Sequence, residues 1–128
     1  MIALVATVDG SFAVDLEDAT VLPADAFDPA AEPVLNLPRL VAAAALGPTV
    51  AAVVATKPPL LLSYDGGATW RASGRGLPPG RAVAIAGDDP DTILFAARNR
   101  LFLSRDGGVF WTAIVGELPE IRYVALEI

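Results

Sequence analysis

Three arginines occupy one repeated position and could together bind an anion. Arg39, Arg81 and Arg122 each stand two residues before a valine in a short apolar run. Clustered guanidinium groups suit a carboxylate or a phosphate, because the planar fork donates to two oxygens at once. Alternatively, each arginine is copied with its repeat and only forms a surface ion pair with a nearby carboxylate, for which the candidates are Asp25, Asp28, Glu117 and Glu120.

Two polar segments carry hydroxyl and carboxylate groups that could also do chemistry. They lie 41 residues apart and read Ser63-Tyr64-Asp65-Gly66-Gly67-Ala68-Thr69-Trp70 and Ser104-Arg105-Asp106-Gly107-Gly108-Val109-Phe110-Trp111. An aspartate in this setting closes a turn by accepting N–H bonds from the residues that follow it, and a glycine adopts a positive φ without steric cost. A structural role is therefore predicted for Ser63, Asp65, Gly67, Thr69, Trp70, Ser104, Asp106, Gly108 and Trp111.

The composition excludes several kinds of site. The 128 residues include no Cys and no His, so a disulfide, a thiolate and the commonest metal ligand and general base are missing. The acidic segment Asp88-Asp89-Pro90-Asp91 lacks the spacing of a calcium loop and is interpreted as a solvated turn. We therefore predict no metal, no cofactor and no catalytic residue.

Charge and hydropathy restrict the partners. The formal net charge of −6 argues against nucleic acid, because phosphate binding usually requires a basic excess. No apolar run approaches the ~18 residues that a membrane helix needs, and the first residues lack the basic region of a secretory signal. The expectation is a cytoplasmic protein that binds neither nucleic acid nor a membrane.

The 41-residue offset extends beyond the polar segments and predicts four short strands in each repeat. In the second repeat these strands are A (82–87), B (92–97), C (100–104) and D (109–114), bounded by Gly, Pro and Asp. Four antiparallel strands in about 40–50 residues form a propeller blade. The chain is thus one all-β domain, in which residues 39–80 form the second blade and residues 81–122 the third.

The two ends of the chain each hold part of a blade. Residues 2–38 contain strands resembling B, C and D, followed by a connector over residues 24–36 whose alternative is a disordered linker. Residues 123–128 resemble a strand A with no blade after it. Because three blades are too few for a ring of about four to eight, residues 123–128 are predicted to complete the first blade of a partner chain. Two chains would then close a six-bladed homodimer by strand exchange; the alternative is a nine-bladed trimer.

The pattern Ser-x-Asp-x-Gly-x-Thr-Trp resembles the Asp-box, or BNR repeat, of sialidase-like propellers. Residues 63–70 match every position, whereas the second copy has Phe110 in place of Thr or Ser, and Asp15–Thr20 keeps only acidic character. The resemblance implies a propeller whose boxes lie on the face opposite the ligand. A sialidase-like hydrolase would need a nucleophilic Tyr, an Arg triad and an Arg-Ile-Pro signature, and the signature is absent. Non-catalytic members of this superfamily act as binding platforms.

In a propeller, the B–C and D–A loops gather on one face, and seven of the nine basic residues fall in those loops. We expect a non-catalytic binding or scaffold propeller that holds an unknown small anion or a protein partner at the channel mouth. The alternatives are a glycosidase-like enzyme acting on an anionic glycan and a purely structural assembly module. The predicted ligand-binding residues are Arg39, Arg81, Arg122, Lys57, Arg98 and Arg100.

Overall fold

The computed structural model of the protein describes residues 1–127, which form twelve β-strands and no helix. The strands are β1 (Ile2–Thr7), β2 (Gly10–Asp15), β3 (Thr20–Ala24), β4 (Leu40–Leu46), β5 (Thr49–Val54), β6 (Leu60–Ser63), β7 (Arg71–Ser73), β8 (Gly80–Ala86), β9 (Asp89–Ala97), β10 (Leu101–Ser104), β11 (Thr112–Ile114) and β12 (Ile121–Glu127). They form three antiparallel four-stranded sheets: sheet I (β12-β1-β2-β3), sheet II (β4-β5-β6-β7) and sheet III (β8-β9-β10-β11). The predicted all-β architecture is confirmed.

Strands A to C lie where the sequence predicts them, with ends that differ by up to three residues, and strand D is shorter than predicted. Strand D was expected over 109–114, whereas β11 begins at Thr112 and β7 correspondingly at Arg71. The residues between Gly108 and Thr112 bond to the turn instead, since the N–H of Phe110 donates to the Asp106 carboxylate. Residues 109–111, the first half of the expected strand, therefore belong to the turn.

Sheet III lies between the other two sheets, and its two faces belong to two different cores. Strand side chains alternate between faces, so Ala84 and Leu94 pack with sheet I while Val83 and Phe95 pack with sheet II. Fully buried Val5 and Val53 complete the two cores from sheets I and II. Within residues 1–127 no strand pairing links one sheet to another, so the sheets are held together by side-chain packing.

Strand β12 pairs with β1 of the same chain. Val124 lies opposite Val5 and Ala125 opposite Leu4, so the chain completes sheet I itself, whereas the sequence predicted that a partner would supply this strand. Same-chain pairing is possible because residues 25–39, at up to ~3.3–3.6 Å each, can span the ~20 Å of two sheet spacings past sheet III. Exchange of β12 between two chains remains a prediction. Ile128, the last residue of the predicted strand, lies outside the described residues.

The connector was predicted over residues 24–36, whereas the segment without a strand between β3 and β4 covers residues 25–39, because Ala24 belongs to β3. Its Phe27 ring packs edge-on against Tyr123 of sheet I, with 5.2 Å between the ring centroids, and the Tyr123 hydroxyl donates to the Phe27 carbonyl at 2.6 Å. At sheet II, a Cβ added to Gly67 would lie 4.0 Å from Leu35 Cδ2. The connector is therefore held to sheet I at Phe27 and lies close to the Ser63–Trp70 turn at Leu35.

Gly80 offers a steric test of the packing between sheets II and III. A Cβ on Gly80 would lie 2.6 Å from both Phe95 Cζ and Val53 Cγ1, without any backbone strain from a positive φ. We expect Gly80→Ala to lower the free energy of unfolding by about 1–3 kcal/mol, as overpacked sites do, in urea denaturation. Gly116→Ala is the control, because nothing lies within 4 Å of its added Cβ, and should change stability by less than ~0.5 kcal/mol. Equal effects of the two substitutions would contradict this packing.

Candidate functional site

The three strands at the inner ends of the sheets surround a central cavity. Strands β4, β8 and β12 each have a second edge that pairs with no strand of the described chain. They line a cavity of about 290 Å³ together with connector residues 29–32. Its walls are mostly alanine and valine, and its charged lining residues are Arg81, Arg122 and Glu32. The cavity thus combines small apolar walls with two guanidinium groups.

The two cavity arginines differ in their partners. Arg81 lies 3.8 Å from the Glu120 carboxylate and contacts the Ile121 carbonyl at 3.5 Å. Glu120 is also bonded by Arg98, at 2.9 Å. Arg122 has no ion pair or hydrogen bond in the part of the chain that the structure describes. Ion pairing therefore accounts for Arg81 and Arg98, but not for Arg122.

The remaining predicted ligand-binding residues do not line the cavity. Arg39 lies in the connection before β4 with a φ of 57°, and its carbonyl accepts the N–H of Ala55. Lys57 lines a separate surface hollow beside Arg75. Arg100 uses its carbonyl to accept the N–H of Ala97. The structure thus brings two of the three repeated arginines to one cavity; Arg98 pairs with Glu120, and Arg39, Lys57 and Arg100 are not among the lining residues.

The Ser63–Trp70 segment forms a tight turn closed by Asp65. Ser63 Oγ donates to Asp65 Oδ1 at 2.7 Å and accepts the N–H of Gly67 at 2.8 Å. Thr69 donates twice to the same carboxylate, from its N–H at 2.9 Å and from its hydroxyl at 2.6 Å. The three donors lower the pKa of Asp65 from 3.8 to about 2, with the Thr69 hydroxyl making the largest contribution.

The two related turns repeat this chemistry with fewer donors. Asp106 accepts from Ser104 Oγ at 2.8 Å and from the N–H of Phe110 at 3.0 Å, and these bonds lower its pKa. Asp15 accepts the N–H groups of Asp18 and Glu17, which likewise lower its pKa. All three carboxylates accept hydrogen bonds from groups within their own turns.

The turns also join neighbouring sheets, which the sequence analysis missed. Ser73 of sheet II donates to the Gly108 carbonyl at 2.8 Å. Arg71 donates to Tyr64 at 2.9 Å and to the Gly107 carbonyl at 3.2 Å. No spacing in the sequence reports these contacts, because their residues lie about 35 positions apart on different repeats.

Both tyrosines are engaged away from carboxylates. The Tyr64 hydroxyl contacts Arg71 and the Gly107 carbonyl, and the Tyr123 hydroxyl donates to Phe27. Over residues 1–127 no cluster of three or more Asp or Glu side chains is arranged to hold a metal ion. The same residues include no helix long and apolar enough to cross a membrane. Among the described residues, the central cavity and the hollow beside Lys57 each combine charged side chains with a concave surface.

Comparison with known proteins gives no assignment. No protein-family model matches the sequence, and no curated protein matches it significantly.

The low pKa of Asp65 predicts a change in acid stability. Its folded-state pKa is depressed, so its stabilising effect is fully present above pH ~4 and is lost as the pH falls towards about 2. We expect Asp65→Asn to flatten the dependence of the unfolding free energy on pH between 2 and 4, measured by urea denaturation. Asp106→Asn should act in the same direction but less, since Phe110 supplies no hydroxyl. Parallel curves for Asp65→Asn and the unmodified protein would contradict this account.

Arg39 allows its backbone role to be separated from its side chain. Its φ of 57° lies in the left-handed region, which costs a residue with a Cβ roughly 1–2 kcal/mol. We expect Arg39→Gly to raise the free energy of unfolding by up to ~1 kcal/mol and Arg39→Ala to leave it unchanged. A loss of stability in both variants would instead show that the guanidinium group supports the fold.

Proposed function

We propose that this protein is a non-catalytic binding propeller whose central cavity takes a small carboxylate with a short aliphatic body. The observation that carries the proposal is the exposed Arg122 guanidinium, which lines the cavity and has no carboxylate within ion-pair distance among residues 1–127. Arg81, which also lines the cavity, already forms an ion pair with Glu120. A bound carboxylate would supply the missing counter-charge.

The dimensions and charges of the cavity favour this ligand class. A volume of about 290 Å³ lies at the small end of ligand pockets, which span roughly 300–1,000 Å³. The alanine and valine walls would contact an aliphatic body, and a charged hydrogen bond to guanidinium contributes about 1.5–3 kcal/mol. Glu32 lies in the connector part of the wall, so an entering carboxylate has to avoid it and contact the arginine side.

The same proposal includes the assembly and its family resemblance. We propose an Asp-box propeller of six blades, formed by two chains that each contribute three. Its support is the hydrogen bonding of the Ser63–Trp70 and Ser104–Trp111 turns and the three-sheet arc with β4, β8 and β12 innermost. A homodimer would give the outer sheets I and II a further sheet to pack against. Each of them packs on sheet III with one face only.

Hexanoate is the probe that tests the cavity. Calorimetry should detect its binding, and Arg122→Gln should weaken that binding about tenfold or more, because a charge-assisted bond is lost. Arg81→Gln should have a smaller effect, since Glu120 already engages Arg81. Hexanol, which fills the same space without a charge, should bind more weakly than hexanoate.

Arg105→Gln is the charge-matched control for this experiment. Arg105 belongs to the Ser104–Trp111 turn, contacts Glu17 and lies outside the cavity lining. Its substitution should leave hexanoate binding unchanged within about twofold. Equal weakening by Arg105→Gln and Arg122→Gln, or no detectable binding to the unmodified protein, would overturn the proposed function.

A further inference from the structure

A second basic hollow lies on sheet II, separate from the central cavity. It is lined by Lys57 and Pro58 of the β5–β6 loop and by Arg75, Gly76 and Leu77 of the β7–β8 connection. None of these residues lines the cavity surrounded by β4, β8 and β12. The two basic side chains face a shared space together with two apolar ones.

The equivalent place on sheet III shows what is missing here. There, Arg98 bonds to Glu120 at 2.9 Å. The 41-residue offset places Lys57 at the position of Arg98 and Pro79 at the position of Glu120. Proline carries no charge, so Lys57 on sheet II lacks the acidic partner that Arg98 has in Glu120 on sheet III. Over residues 1–127, neither Lys57 nor Arg75 has a carboxylate within ion-pair distance.

The backbone of the same hollow presents further donors. Gly74 and Gly76 have φ values of 79° and 84°, whereas Arg75 between them does not have a positive φ. Together with the hydrogen bond from the Leu77 N–H to the Gly74 carbonyl, the positive φ of Gly76 is typical of a type II turn. The N–H groups of Arg75 and Gly76 have no protein acceptor in the described chain.

We propose that this hollow binds the phosphate group of a small phosphate monoester. Arg75 supplies a planar fork of donors, Lys57 supplies a point charge, and the amides of residues 75 and 76 complete the set. The side chains of Pro58 and Leu77 contact the apolar part of the ester. The site is independent of the carboxylate cavity, and either one can exist without the other.

Phenyl phosphate is the probe, followed by nuclear magnetic resonance of the ¹⁵N-labelled protein. To remove the cavity arginines, the titration is made with Arg81→Gln/Arg122→Gln as well as with the unmodified protein. In both, the amide signals of Arg75 and Gly76 should shift and saturate. Inorganic phosphate should shift the same signals with lower affinity, and benzoate should shift them least. Shifts confined to other residues would overturn the proposal.

Substitutions test the contributing groups. Arg75→Gln and Lys57→Gln should each weaken phenyl phosphate binding about tenfold. Arg100→Gln is the control: it removes the same charge from the equivalent loop of sheet III, outside the hollow, and should change binding less than about twofold. If Arg100→Gln weakens binding as much as Arg75→Gln, attraction by overall charge explains the result and the site does not exist.

Restoring the missing acid is the reciprocal test. Pro79→Glu should supply Lys57 with the carboxylate that sheet III has in Glu120, and binding should fall about tenfold. Ala113→Glu adds the same charge on the exposed strand β11 and should leave binding nearly unchanged. Unchanged binding in Pro79→Glu would contradict the role assigned to the absent acid. Hexanoate binding to the cavity should survive Pro79→Glu, which separates this site from the proposed function.

Discussion

The close approach of β4, β8 and β12 is the constraint on which the rest of the structure depends. Small side chains of β4 and β8, namely Ala42–Ala45, Ala82 and Ala84, leave room at the centre, whereas β12 contributes the larger Tyr123 and Leu126 to the same cavity. Larger residues lie further out, where the sheets diverge, as with Phe95 and Leu101. Because the inner strands do not pair with one another, they leave a cavity that is lined by small apolar side chains and by Arg81, Arg122 and Glu32.

The two ends of the sheets differ in how their polar groups are hydrogen-bonded. The turn end carries the Ser63–Trp70 and Ser104–Trp111 turns, and the loop end carries the β5–β6 loop and the connection before β12. At the turn end, hydroxyl and carboxylate groups such as those of Ser63, Asp65 and Thr69 bond to one another. Because these groups bond to one another, the turns are rigid and few hydrogen-bonding groups remain for a ligand. At the loop end, Arg122 and Lys57 have no such partners within the described residues. We therefore propose ligand binding near Arg122 and Lys57 and not at the turns.

Repetition explains how much the sequence could predict. The 41-residue offset predicts strands A to C and the turn aspartates, because each feature is present twice. The contacts of Phe27 with Tyr123 could not be predicted from the repeat, because the connector has no second copy in the sequence. Side-chain alternation fixes how β12 pairs with β1, but it does not specify which chain supplies β12. Equally, the repeat treats Arg81 and Arg122 alike, whereas Glu120 contacts only Arg81 of the two.

The solution mass tests the central claim most directly, because the three sheets form an arc with a free face at each end. Light scattering after size exclusion at low micromolar concentration gives the mass without reference to any ligand. The account predicts twice the chain's 13.2 kDa, as expected for two arcs that close one six-bladed ring. A mass of one chain would contradict the ring and would leave the connector to cover the free faces of sheets I and II.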